Sequence, residues 1–230
     1  MEKKEPMIGR RLIAMMIDFL LLSLIAFFCF GLIVHPLTTK VTNYNDVVEN
    51  YQQLDKEYCS IQDEYGIYYY DENNKRVENV NVSEEVKQQF LNDERIVALK
   101  DDIIISQQDI LKFAIGEISI AILLGSLVVF ILLPLCLRKG RTLGKLIMKL
   151  FVVDTKYNYI KWYLLIPRQL LYIILNIYLG IITLGIMPLI NLIVAILTRE
   201  NQTIYDLICH SCIADGRIPL EVNKNYFISE

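Results

Sequence analysis

Arg11-Leu12-Ile13-Ala14-Met15-Met16-Ile17-Asp18 opens an apolar run that continues through position 34, and within 12–34 only Asp18 and Ser23 are distinctly polar. At helical rise these 23 residues cover roughly 34 Å, enough to cross a hydrocarbon layer of about 30 Å. An ionisable side chain inside such a run costs about 2.5–3.5 kcal/mol on insertion scales, so Asp18 must face protein or water and have a partner. The identity of that partner is the question the rest of the chain has to answer.

Two more apolar stretches, 111–137 and 164–197, are also long enough to span. With 54% hydrophobic residues and a mean hydropathy of +0.37, an ordinary water-soluble globule is excluded. Lys3, Lys4, Arg10 and Arg11 ahead of the first run invite a signal-peptide reading. The run is long, holds Asp18, and ends in Phe30-Gly31-Leu32-Ile33-Val34-His35-Pro36 without a small-x-small site, so it is read as a retained anchor.

Charge orients the chain. Residues 35–112 hold eight Lys/Arg against sixteen Asp/Glu, whereas 138–161 hold seven Lys/Arg against Asp154 alone. Basic flanks stay in the cytosol, which places 1–11 and 138–163 inside and 35–112 outside a cell membrane crossed several times. Beside two spans the basic loop reads as a topology determinant, so no nucleic-acid partner is expected. Five cysteines with only Cys59 outside leave no disulfide there and suit a bacterial surface.

The expected divisions are 1–34 (N-terminal segment and first span), 35–112 (extracytoplasmic insertion), 113–137 (second span), 138–163 (basic cytosolic loop), 164–198 (third span or a helical hairpin) and 199–230 (tail). In the insertion, Val47, Val48, Tyr51, Leu54 and Tyr58 predict a helix. Residues 66–82 read as a hairpin turning at Asn73-Asn74, and Ser83 caps a helix over 84–99 with a stripe of Val86, Phe90 and Val97. Tyrosines 58, 65, 68, 69 and 70 are read as packing on these helices rather than as a binding face. His35 reads as a solvated helix end. In the loop, Thr142 caps a helix whose apolar stripe is Leu143, Leu146, Ile147, Leu150 and Phe151, predicted to lie in the inner interface. Gly180, Gly185 and Pro188 interrupt 164–197, which as one helix would be roughly 51 Å long and too long for a single span. The fold expected is an all-α membrane protein: three to four transmembrane helices, the last region a helical hairpin, with a cytosolic interfacial helix and a small α+β extracytoplasmic insertion.

On that topology Arg11, Asp18, Arg168 and Asp206 fall in the inner third of the membrane. Arg11 and Asp18 lie two helical turns apart, roughly 10 Å, too far for direct pairing. Arg168, just after Pro167 in what reads as a first turn, is the expected partner of Asp18, and Asp206 of Arg11. Two arginines against two aspartates balance the charge, as a low-dielectric site requires. Glu117, in the second span, and Lys145 are accessory candidates; Glu117 has three readings, snorkelling to the outer interface, lining a path, or pairing within the bundle. Cys209-His210-Ser211-Cys212 holds soft ligand types but falls short of the four a structural zinc needs, and no cofactor signature is present. No Ser/His pair or paired catalytic carboxylates emerge, so no enzyme is expected.

Three segments, in order, resemble the RDD family of membrane proteins, named for an arginine and two aspartates. They are Arg11 to Asp18, the loop Arg141-Thr142-Leu143-Gly144-Lys145 running on to Val153-Asp154, and Thr203-Ile204-Tyr205-Asp206 with Ser211 where a threonine is more usual. Arg168 lies between the last two. The long 37–112 connection departs from the family pattern. Some members are associated with sodium/proton antiport and others with assembly or degradation complexes. The resemblance therefore implies cation- or proton-coupled transport of Na+, K+, Li+ or H+ through the Arg/Asp cluster. The alternatives are a non-catalytic membrane scaffold or assembly factor, or a sensor using 37–112. Three or four spans form a thin wall, so transport implies a homo-oligomer or a membrane partner as well as the lipid bilayer.

Overall fold

The computed structural model describes residues 7–71, 74–137, 140–156, 158–198 and 201–217. Asn73, half of the expected turn, lies outside them, as do Arg138 and Lys139 of the basic loop and 199–200 and 218–230 of the tail. The chain separates into two units, Phe30–Ile120 and the remainder.

The first apolar run forms a helical stretch, α1 (Ile8–Val41), that does not stop at His35-Pro36 as expected. A wide π turn at Phe30–Val34 precedes Pro36, and another at Val128–Leu132 precedes Pro134. Proline lacks the N–H that the helix ladder needs and crowds the carbonyl a turn earlier. The wider turn absorbs both.

In the Phe30–Ile120 unit, α2 (Tyr44–Glu64) leads to an antiparallel pair, β1 (Tyr68–Tyr70) and β2 (Arg76–Glu78), with Tyr69 opposite Val77. Helix α3 (Glu84–Asn92) is capped by Ser83, whose hydroxyl accepts from Val86 N. The expected helix over 84–99 breaks at Asp93, where the backbone is extended and the carboxylate accepts the N–H of Arg95 at 2.9 Å. A new helix, α4 (Glu94–Cys136), starts there and runs unbroken through the expected boundary at 112/113. Restarting the helix changes its phase, so Phe90 and Ile96 are buried while Val97 is half-exposed. Ile61, Phe90, Ile96 and Leu99 form the core, and Tyr58 and Tyr65 both meet the Phe90 ring edge-on. Tyr69 and Tyr70 stay exposed, so the tyrosine group divides between packing and surface.

In the other unit, the expected interfacial helix is short: α5 covers only Leu143–Ile147. Lys149 adopts a left-handed φ of 55° and the chain becomes a strand, β3 (Leu150–Asp154). Leu150-Phe151-Val152-Val153 is buried at every position, the signature of a strand covered on both faces, where the expected helix would expose half its stripe. The partner comes from the tail. After α6 (Trp162–Ile182), α7 (Ile186–Leu197) and α8 (Ile204–Ile208), strand β4 (Ser211–Asp215) pairs antiparallel with β3, Leu150 opposite Asp215 and Asp154 opposite Ser211.

The apolar stretch 164–197 therefore holds two helices. Gly185, at φ 89°, adopts a conformation that suits glycine, and its N–H donates to Gly180 O at 2.7 Å. Pro188 then packs so close to Gly180 that a Cβ there would sit 3.1 Å from the proline ring. Because α6 begins at Trp162, Pro167 lies inside it rather than in its first turn. Leu22, Val129, Phe130, Tyr172, Ile173, Ile177 and Tyr205 form the core of this unit. Of the small residues in α4, Gly125 admits the Ala26 backbone, which a Cβ would meet at 3.2 Å, whereas Gly116 meets nothing. The outer flank of α1 (Met16, Leu20, Leu24, Phe27) is exposed and apolar, as a lipid-facing surface requires.

Candidate functional site

Asp18 is only 3% exposed and does not pair with Arg168. Its Oδ2 accepts the Thr142 hydroxyl at 2.5 Å and its Oδ1 accepts the Gly144 N–H at 2.8 Å. Thr142 Oγ1 also accepts the N–H of Lys145, so one hydroxyl caps α5 and binds the carboxylate. Gly144 is required sterically, since a Cβ there would collide with the Ala14 carbonyl and lie 3.0 Å from the Asp18 carboxyl carbon. The Thr-Leu-Gly of the loop is thus the receptor for the aspartate of the first helix. The expected Asp18–Arg168 pairing is replaced because a helix N-terminus, with its free N–H groups, already satisfies the carboxylate.

Arg168, 1% exposed, pairs instead with the fully buried Asp206. Its Nε donates to Asp206 Oδ1 at 2.8 Å and to Ser211 Oγ at 3.2 Å, Nη2 lies 2.6 Å from the same carboxylate oxygen, and the guanidinium covers the Tyr205 ring. The other oxygen accepts from the Thr203 hydroxyl at 2.7 Å and the Thr203 N–H at 3.3 Å, closing a capping box on α8. Burial alone would raise the Asp206 carboxyl. Arg168 and Arg11, with the bonds from Thr203 and Arg168, outweigh it and hold the group below the ordinary value of 3.8.

Arg11, expected opposite Asp206, donates to backbone carbonyls, those of Asn201 and of Ile213. It acts on Asp206 through its field rather than by contact. Next to it, Arg10 pairs with Asp215 at 2.5 Å and donates to Met148 O, fastening the start of α1 to β4 and to the turn after α5. Arg10 and Arg217 hold the Asp215 carboxyl at about 2, against a burial effect of opposite sign.

Lys145 differs from the other charges. It makes no ion pair among the described residues. Burial, reinforced by Arg168, pushes its ammonium down to about 8; Asp18 and Asp206 oppose, and Arg11 adds to the lowering. It lines a cavity of about 290 Å3 together with Arg11, Asp18, Tyr172, Asn176, Asn191 and apolar side chains of α1, α6 and α7. Asn191 Nδ2 donates to Asn176 Oδ1 at 3.1 Å across the hairpin. Asn176 Nδ2 and Asn191 Oδ1 are buried and have no partner among the described residues.

Arg11, Asp18, Lys145, Arg168 and Asp206 therefore share one unit, with a pairing different from the expected one. Glu117 belongs to the Phe30–Ile120 unit, where it meets His35, whose side chain is 43% exposed and so partly solvated as expected but also paired. Cys209 and Cys212 are buried while His210 is exposed. Thr142, Gly144, Asn176 and Asn191 were not among the expected site residues. The two asparagines carried a signal, being side-chain amides inside apolar runs on either side of the turn at Gly185. Gly144 carried one only through the family resemblance of its loop, because its role is the absence of a side chain.

Comparison with curated proteins and with solved structures found no match. The sequence model of the RDD family matches residues 86–210, a stretch that contains Thr142, Gly144, Lys145, Arg168, Asn176, Asn191 and Asp206. That match covers more than half of the chain, and among the described residues three helices are long and apolar enough to cross a membrane; this multi-pass membrane protein belongs to the RDD family.

Proposed function

We propose that this protein exchanges a monovalent cation for a proton at the cavity where Lys145 and Asp18 meet. One observation carries the reading: on the wall of a cavity Lys145 is a cation whose side chain has neither an ion pair nor a hydrogen bond among the described residues, whereas Arg11 there is held by backbone carbonyls. Arg11, Asp18, Arg168 and Asp206 are already engaged by short hydrogen bonds, which suits a fixed frame. With Lys145 protonated the five groups sum to one positive charge. Loss of that proton leaves a neutral site, and entry of Na+, K+ or Li+ restores the original charge. Exchange one for one therefore costs no net charge in a low-dielectric setting. Asp18 and the free Asn191 Oδ1 line the same cavity and offer oxygen to an ion that sheds water.

Pairing of β3 with β4 supports a topology in which the basic loop and the tail share one face, the cytosolic one by the charge rule, with 35–112 outside. A set of helices this small calls for a homo-oligomer to enclose a path. The membrane-scaffold alternative draws its support from the short hydrogen bonds that hold Asp18 to Thr142 and Gly144 and Asp206 to Arg168 and Thr203.

Reconstituted into liposomes with a preset pH gradient, the protein is expected to dissipate that gradient on addition of Na+, K+ or Li+, and Lys145→Gln to lose this while keeping its thermal unfolding profile. Absence of cation-dependent flux in oriented, folded preparations sinks transport and leaves the scaffold. For topology, an impermeant thiol reagent on intact cells should label Ser60→Cys and spare His210→Cys, both exposed positions. Labelling of the second would place β4 outside.

A further inference from the structure

The Phe30–Ile120 unit holds a buried carboxylate that the exchange reading leaves unused. Glu117 is 5% exposed, and its ion-pair partner among the described residues is His35, whose Nδ1 lies 3.2 Å from one carboxylate oxygen and 3.3 Å from the other. A carboxylate has about four lone-pair sites, and one ring nitrogen shared between its oxygens leaves most of them free. Rings hold that imidazole in place: Phe30 stacks on it at 5.8 Å, Tyr44 meets it edge-on at 5.9 Å, and Tyr44 in turn meets Phe113 at 5.7 Å.

Glu117 and Phe113 line a cavity of about 510 Å3, within the size range of small-molecule sites. The groups facing it are mainly acceptors. Thr38 and Thr42 spend their hydroxyl protons on the carbonyls of Val34 and Thr38, so Thr38 Oγ1, and Thr42 Oγ1 beyond the long bond it accepts from Tyr44 N, keep lone pairs for a ligand. The one lysine on the wall, Lys112, is matched by Asp109 at 2.7 Å. What is left over is the Glu117 carboxylate, only partly occupied by the one His35 nitrogen, a set of acceptor oxygens and an aromatic face. That combination calls for a positively charged donor with a carbon body. A bare metal ion is a poor match, because no three metal-ligating side chains converge among the described residues.

We propose that this cavity binds a small organic ammonium, its nitrogen on Glu117 with the Thr38 and Thr42 hydroxyls and its carbon body against Phe113. The aromatic ring and the buried carboxylate both favour a cation over a neutral molecule of the same shape.

Full-length protein in phosphatidylcholine nanodiscs, titrated calorimetrically with butylammonium and with butan-1-ol, tests this. Saturable binding of the ammonium is expected, with the alcohol weaker by about tenfold or more, a difference typical of one charge-assisted contact. Glu117→Gln should abolish the preference and Phe113→Leu should weaken both ligands. Equal affinity for the two probes, no saturation, or a preference that survives in folded Glu117→Gln overturns the site. Should Glu117→Gln fail to fold, the comparison of probes on the unaltered protein still decides. Lys145→Gln should bind the ammonium unchanged, which separates this outcome from that of the exchange assay.

Discussion

Asp18 and Thr142 stand 124 positions apart in the chain and 2.5 Å apart in space. The contact joins the first helix to the loop after α4, and both groups are buried. Thr142→Val keeps the shape but leaves one carboxylate oxygen without its donor, which costs about 1–3 kcal/mol for a buried group. Thermal unfolding in detergent should fall by several degrees, and Thr142→Ser, which restores the hydroxyl, should recover most of it.

Gly144→Ala should be more damaging than its size suggests. The new methyl meets the Ala14 backbone and the Asp18 carboxyl, neither of which is a flexible side-chain end. Overpacking of this kind costs about 1–3 kcal/mol and occasionally more, and it separates α5 from α1, so folded yield should drop sharply. Gly31→Ala, where nothing lies within 4 Å, is the control and should be neutral.

Cation exchange should switch on with rising pH. Lys145 is protonated below about 8 and holds the site's positive charge, so a second cation is repelled; above about 8 it is neutral and the cation enters. Half-maximal flux near pH 8 is expected, and Lys145→Arg should remain inactive across the range because guanidinium does not deprotonate. The same depressed value, set against 10.5 for an ordinary lysine, makes the unfolded chain the better proton binder between about 8 and 10.5. Stability should therefore rise with pH through that window, and Lys145→Met should flatten the rise.

Arg168 and Asp206 form a buried pair whose members are strongly coupled. Removing one partner, as in Arg168→Met, leaves a buried charge and costs about 3–5 kcal/mol. Combining it with Asp206→Asn should cost less than the sum of the single changes, because the stranded charge disappears with it. A double-mutant cycle on urea unfolding measures this coupling. An additive result would mean the two side chains do not sense each other.

The spans, the break in 164–197 and the burial of the charged residues were legible in the sequence because each has a one-dimensional signature: length, a glycine, or an ion in an apolar run. The pairings were not. Asp18 is satisfied by a hydroxyl and a backbone N–H, and every position except proline offers the latter, so nothing in the residue types marks Gly144 as the donor. Arg168 was expected beside Asp18, but the bonds of Thr203 and Ser211 place Asp206 beside it instead. The run from Leu143 to Phe151 fits a helical stripe as well as a short turn followed by a strand, an ambiguity inherent in brief apolar runs. Only β4, some 60 positions on, decides it. In the insertion, Asp93 serves as the end of one helix and the cap of the next, a double role that periodicity cannot register.

The strand pairing also sets an order of events. Leu150 to Asp154 emerge from the ribosome well before Ser211 to Asp215, with both helices of the hairpin between them. Until the last strand appears, β3 has an open edge, Arg11 lacks the Ile213 carbonyl and Arg168 lacks the Ser211 hydroxyl. The cavity, which Ile213 lines, is thus assembled only once β4 has emerged. A nascent chain halted after His210 should be open to proteolysis in the 150–154 segment, and release of five more residues should close it. Quality control of this protein can accordingly read one signal: whether β4 has found its place beside β3.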